Sequence, residues 1–192
     1  MKDAERGVKK PTRLGQGGFT LLELIVVVGI VAILFTVGLN KYFELLVDVE
    51  RATMESNIGA LRSAVAMQVA RKIVRDELLS LSDLAETNPM GYLAEKPKNY
   101  LGERHNVDPA AVEGGTWYFD TVGNVLTYRV KNTDYFQSGL SGPKRARFKI
   151  ELVYADHNGS GRFEPNIDAL EGLRLAALEP YRWLKKRKEK ED

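Results

Sequence analysis

FTLLELIVVVGIVAILFTVGL, residues 19–39, decides the architecture of this 192-residue chain. The stretch is 21 residues long and holds one ionisable side chain, Glu23. Residues 24–35 show no polar face at all. At 1.5 Å of rise per residue, a helix of this length spans roughly 31 Å, the thickness of a bilayer's hydrocarbon core. Val and Ile favour strands in water, but in lipid only a helix satisfies the backbone of a lone span. A buried core helix is the alternative, and the missing polar face argues against it.

Upstream lies MKDAERGVKKPTRLGQGG, residues 1–18, with Lys2, Arg6, Lys9, Lys10 and Arg13 against Asp3 and Glu5, a net of +3. Positive charge on one flank holds that flank in the cytoplasm. The chain beyond the apolar stretch is therefore expected outside the inner membrane; without the leader, the 174 remaining residues carry 23 basic and 24 acidic side chains. A secretory signal peptide has an apolar run of about 7–15 residues followed by a small-residue cleavage site. Here the run is longer, and Gly17 and Gly18 precede it. Cleavage at those glycines leaves the apolar segment on the mature chain. Glu23 is the anomaly, since a carboxylate at mid-membrane costs about 2.5–3.5 kcal/mol. Snorkelling or protonation near the surface is one explanation. The other is a positive partner met on assembly: after a cut following Gly18, the new α-amino group of Phe19 on a neighbouring subunit. That pairing neutralises two charges in a low-dielectric bundle and fixes axial register.

Gly18-Phe19-Thr20-Leu21-Leu22-Glu23, followed by the apolar run, resembles the signal of type IV prepilins and type II secretion pseudopilins: Gly before the cut, Phe after it, Glu as fifth mature residue. The resemblance covers about 40 residues. It implies cleavage after Gly18 and N-methylation of Phe19 by prepilin peptidase, then extraction from the inner membrane into a periplasmic or extracellular filament. The implied partners are that peptidase, other pilin or pseudopilin subunits, the inner-membrane assembly platform and membrane lipid, with no small-molecule substrate and no cofactor. The implied role is a structural subunit, not an enzyme. A single-span anchored binding module that forms no filament is the alternative.

Composition agrees with a non-catalytic part. There are no cysteines, which excludes disulfides, Cys-based metal sites and thiol chemistry. Only His105 and His157 could offer imidazole, and a net charge of +2 excludes a strongly basic nucleic-acid binder. No phosphate-cradling loop or recognisable nucleophile–base motif is present.

Residues 40–80 contain no proline and continue the helix as an amphipathic segment. Leu45, Val49, Ala52, Ile58, Leu61, Val65, Val69 and Ile73 recur every three or four residues, opposite Glu50, Arg51, Glu55, Arg62, Arg71, Lys72 and Arg75. Gly38-Leu39-Asn40 is a candidate flexible point, and Ser82 a candidate N-cap. Residues 81–115 are rich in Pro, Gly and Asn and read as a connecting loop with a helical turn at Asp108-Pro109. The period then changes to two. Residues 116–121 and 125–131 flank Val122-Gly123-Asn124, a hairpin signal, and residues 147–154 alternate strictly. The expected fold is α+β and pilin-like: a long N-terminal helix packed on a small antiparallel sheet of about three strands, within a head over residues 116–192. Trp117, Tyr118, Phe119, Tyr128 and Tyr135 read as sheet core and cross-strand pairs, with an aromatic ligand platform as the alternative. Asn88-Pro89-Met90 and Trp117-Tyr118-Phe119-Asp120 resemble features of minor pilin and pseudopilin heads.

Two further stretches carry chemistry. Asp156, Asn158 and Ser160 place oxygens at alternate positions, with Gly161 sixth, as at the start of an EF-hand loop. Position twelve is Ile167 rather than Glu. The readings are a Gly-rich turn, or a calcium loop using Asp156, Asn158, Ser160 and Glu164 or Asp168. Residues 167–185 read as a C-terminal helix ended near Pro180, followed by a basic tail.

Overall fold

The computed structural model describes residues 18–77, 80–164 and 166–185; the leader before Gly18 and the tail after Lys185 lie outside the described residues. One helix, α1 (Leu21–Val74), runs through the whole apolar and amphipathic stretch, Gly38-Leu39-Asn40 included. The chain divides into two compact units, Met1–Phe43 and Glu44–Asp192.

In the first unit every large apolar side chain from Phe19 to Phe43 is at least 38% exposed. A helix apolar on all sides needs lipid or other helices around it. By length and composition α1 is long and apolar enough to cross a membrane.

The second unit holds a five-stranded sheet in the order β1-β2-β3-β5-β6: β1 (Tyr100–Arg104), β2 (Thr116–Asp120), β3 (Val125–Arg129), β5 (Arg145–Ala155) and β6 (Ala169–Ala177). The fold is α+β, with α1 on an antiparallel-rich sheet, but there are five strands where about three were expected. The hairpin β2–β3 pairs Asp120 with Val125 across Thr121–Asn124, as its turn residues predict. Asn124 takes the positive φ that such a turn requires (+52°). The extra strands come from two places. β1, in the stretch read as a loop, runs parallel to β2. β6 occupies the stretch read as a C-terminal helix and pairs with β5 from Phe148↔Ala177 to Ala155↔Ala169. Beyond it, β7 (Tyr181–Trp183) forms a two-stranded ladder with β4 (Phe136–Ser138). Ala, Leu, Glu and Arg in β6 are good helix formers, but the free edge of an eleven-residue β5 overrides that weak preference.

The core lies between α1 and one face of the sheet. Val47, Met54, Ile58, Leu61 and Val65 are buried on the helix, against Trp117, Phe119, Leu126, Tyr128, Phe148, Ile150 and Leu175. Each large side chain buried here contributes roughly 1.5–3 kcal/mol. The aromatics are thus core, with Trp117 and Tyr128 rings 4.7 Å apart. The lower half of the helix stripe differs from expectation: Leu45 and Val49 are 59% and 54% exposed, and Val47 and Met54 face the sheet instead.

Two residues read as solvated helix face also reach the sheet. Arg62 donates from Nε to the Leu175 carbonyl (3.3 Å). Glu50 accepts four hydrogen bonds. Its Oε1 takes the Tyr128 hydroxyl (3.0 Å) and the Lys131 N–H (2.7 Å). Its Oε2 takes the Asn132 N–H (2.9 Å) and side-chain amide (2.6 Å).

The helix ends at Val74, short of residue 80. Asp76 adopts φ +58°, Glu77 N–H bonds back to the Lys72 carbonyl (2.9 Å) and Asp76 N–H to Ile73 (3.1 Å). This is the Schellman closure, with Asp in the place glycine usually takes. Ser82 is no cap: the short α2 (Leu81–Leu84) begins after Ser80, and Ser82 lies inside it. The turn at Pro109–Ala111 is present, with Asp108 accepting from the Ala110 N–H.

Candidate functional site

Gly18, Phe19 and Thr20 stand ahead of the helix, outside regular structure and exposed. The Gly18–Phe19 peptide bond therefore precedes the first helical residue, and the Phe19 side chain is 77% exposed. The helix starts at Leu21 because Thr20 caps it. The Thr20 Oγ1 accepts from the Glu23 N–H (3.2 Å), and its carbonyl accepts the Leu24 N–H (3.1 Å). The first N–H groups of any helix lack intrahelical partners, and a hydroxyl at this position supplies one. Thr20-Leu21-Leu22-Glu23 has the T-x-x-E spacing of a capping box, a signal that identifies Thr20 from sequence once it is looked for. Glu23 lies in the first turn, where the helix dipole favours a carboxylate. Glu23 thus has a local electrostatic reason to sit at this turn, in addition to any partner in an assembly.

From Leu24 onward the helix offers only apolar surface until Thr36, whose hydroxyl bonds to the Ala32 carbonyl (2.9 Å) and so exposes no unmet polarity. Val31, Leu34, Phe35 and Leu39 surround a shallow notch at Gly38. A Cβ at Gly29 or Gly38 would meet nothing within 4 Å in the single chain. The arrangement is a packing surface with one charge near its start.

The loop after β5 is a self-bonded turn. Asp156 Oδ1 accepts the Gly159 and Ser160 N–H groups (2.7 and 3.2 Å), and Oδ2 accepts that of Gly161 (2.8 Å). These amides, Gly161 foremost, hold the Asp156 carboxyl below the usual carboxylate range. Asn158 donates from its side-chain amide to Glu164, and Ser160 Oγ donates to the Arg162 carbonyl. Asp168 is buried and accepts the His157 and Glu164 N–H groups (3.0 and 2.8 Å). Among the described residues no group of three or more His, Cys, Asp or Glu gathers as metal ligands would. His105 is exposed, its Nδ1 3.2 Å from the Thr121 hydroxyl.

Comparison with known proteins singles out the same N-terminal segment. Residues 13–39 match the family model for the prokaryotic N-terminal methylation motif. No solved structure matches the chain. The motif implies processing by a peptidase and assembly with other pilin subunits, and with the apolar helix it fits anchoring in a membrane. The chain carries a type IV pilin-like prepilin motif at the head of a long helix that packs on an antiparallel-rich sheet.

Proposed function

We propose that this chain is a structural subunit of an inner-membrane-assembled filament, a type IV pilus minor pilin or a type II secretion pseudopilin. Prepilin peptidase cuts the Gly18–Phe19 bond from the cytoplasmic side, where the basic leader holds the N-terminus, and methylates the Phe19 nitrogen. The sheet unit lies on the other side of the membrane. Assembly then moves the apolar helix from lipid into a bundle of like helices. The chain's own chemistry is packing plus one charge pair, Glu23 with the Phe19 ammonium of a neighbour. In a low-dielectric bundle that pair is favourable only if both charges are present, since either alone is costly to desolvate.

The observation that supports this reading is register. The methylation motif ends where the apolar stretch of sequence ends, at residue 39. Its single carboxylate, Glu23, falls in the first turn of α1, whose large apolar side chains up to Phe43 are all uncovered. The test compares wild type with Glu23→Gln and Glu23→Ala in the native host, following insertion by membrane fractionation and incorporation by recovery in sheared or pulled-down filaments. Both variants are expected in the membrane and depleted from filaments. Equal recovery of all three would refute the pairing. Absence of wild type from any filament would leave a single-span anchored module.

A further inference from the structure

β6 is an outer strand of the five-stranded sheet, paired with β5 on one side only. Its regular part runs from Gly172 to Ala177, since Glu171 is the extra residue where the register shifts at Val153 and Tyr154. Antiparallel partners alternate between bonded and non-bonded pairs. The Leu178 N–H donates to the Arg147 carbonyl (2.9 Å), so that pair is bonded. Counting back along the register, Lys149–Ala176 and Glu151–Arg174 are bonded, whereas Phe148–Ala177, Ile150–Leu175 and Leu152–Leu173 are not. The N–H and C=O groups of Leu173, Leu175 and Ala177 therefore point away from β5, along the open edge. Among the described residues, the hydrogen bond that reaches this edge comes from Arg62 Nε, at the Leu175 carbonyl (3.3 Å). Natural edges are blunted by Pro, Lys or a covering segment. Residues 172–177, GLRLAA, contain neither Pro nor Lys. Arg174 is engaged by Glu151 (2.9 Å). Arg62 has no ion pair among the described residues, and with Leu173–Ala177 it lines an open trough along the strand.

We propose that the free edge of β6 takes an extended, acidic segment of a partner protein as an added strand, with Arg62 reading a carboxylate on it. A strand laid on such an edge gains main-chain hydrogen bonds, and its alternate side chains supply specificity. The stretch from Leu173 to Ala177 matches about five residues of a partner. Leu175 is buried in the core beneath α1, so side chains of the added strand on that face lie beside Arg62. An incoming N–H needs the Leu175 carbonyl that Arg62 holds. A carboxylate is a stronger acceptor for the guanidinium than a carbonyl, so an acidic side chain frees that carbonyl as it docks. A second copy presenting the same edge would add another Arg62 to the seam, whereas an acidic segment brings the missing charge. The surface lies wholly in the sheet-bearing unit, and the inference holds whether or not the chain enters a filament.

Amide exchange, followed by NMR on the isotope-labelled full chain in detergent, tests this. Without a partner, the Leu173, Leu175 and Ala177 amides should exchange faster than those of Arg174 and Ala176, which bond to β5. The probe is acetyl-Thr-Val-Thr-Val-Glu-Val-Thr-Val-Thr-amide, compared with the same peptide carrying Gln for Glu. The Glu peptide should slow the three edge amides, and the Gln peptide should bind about threefold more weakly. Arg62→Gln should erase that difference. Ala177→Pro removes an edge donor but no bond to β5. It should weaken the Glu peptide about fivefold while the fluorescence of the buried Trp117 and Trp183 stays as in wild type. Edge amides indifferent to both peptides overturn the proposal, as does equal binding of the Glu and Gln peptides to wild type. Edge protection without peptide overturns it too. Protection that rises with protein concentration assigns the edge to a second copy, and protection lost on truncation after Lys185 assigns it to the chain's own C-terminus.

Discussion

Glu50→Gln tests how the head is locked to its helix. The Glu50 carboxylate receives four donors, all from Tyr128, Lys131 and Asn132 at the end of β3 and the turn after it. Glutamine keeps the shape and one oxygen, so two of the four donors then face an NH2 group. Hydrogen bonds to a charged acceptor contribute about 1.5–3 kcal/mol each, and the more exposed donors here recover part of that from water. The expected loss is about 2–3 kcal/mol for Glu50→Gln and about 3–4 kcal/mol for Glu50→Ala, which strips all four. Tyr128→Phe removes one donor and should cost about 1 kcal/mol. Because the two residues share a bond, the double variant Glu50→Ala/Tyr128→Phe should cost about 1 kcal/mol less than the sum. Urea unfolding of the full chain in detergent reads this through Trp117 and Trp183, both buried in the head. Glu50→Gln within about 0.5 kcal/mol of wild type would refute the clamp, since surface changes away from such features fall in that range.

Burial raises Tyr128 most, with Glu50 adding to the shift, and also raises Tyr118, Tyr181 and Tyr100 above the ordinary phenol value of 10.0. A raised folded pKa gives stability that is complete below the unfolded value and lost as pH rises, so melting temperature should fall above about pH 10; a flat profile from neutral to alkaline pH contradicts this. Gly114→Ala should destabilise by about 1–3 kcal/mol, because its Cβ would lie 2.8 Å from the Lys131 Cα and 3.0 Å from the Val130 carbonyl oxygen, both backbone atoms that cannot swing aside. In the loop after β5 the Gly159, Ser160 and Gly161 amides are held by Asp156 itself, so their exchange protection should survive chelation by EDTA. It should fail only as pH drops through the lowered Asp156 value, below 3.8. Protection that appears only with added calcium would instead assign a cation to Asp156, Asn158 and Ser160.

The features legible in the sequence are those with an unambiguous period. Residues 19–39 are apolar on every side, which a span-like helix suits, and β5 alternates with Ala146, Phe148 and Ile150 buried; β2 and β3 read as strands too, although each buries three consecutive residues, Trp117–Phe119 and Leu126–Tyr128. β1 was hidden because its five residues, YLGER, include Gly102 at φ +88° and show no clean alternation. β6 was hidden because ALEGLRLAA prefers helix locally, and only pairing with β5 decides otherwise. Between residues 42 and 49 the helix is apolar on more than one side, so spacing alone could not choose Val47 over Leu45 and Val49 as the inward residues. Glu50 looked like solvated helix face because its four donors lie about 80 residues away in the chain. In the candidate site, Gly18, Phe19 and Glu23 stand out by residue type. Thr20 does not stand out by residue type; its signal is the T-x-x-E spacing to Glu23, which the cap geometry bears out.

Mass spectrometry of the N-terminal peptide, from membranes of the native host, tests the central claim most directly. Peptidase processing predicts a mature chain that begins at Phe19 with a methylated α-amino group. A chain that still begins at Met1 while the host's peptidase is present and active would contradict it.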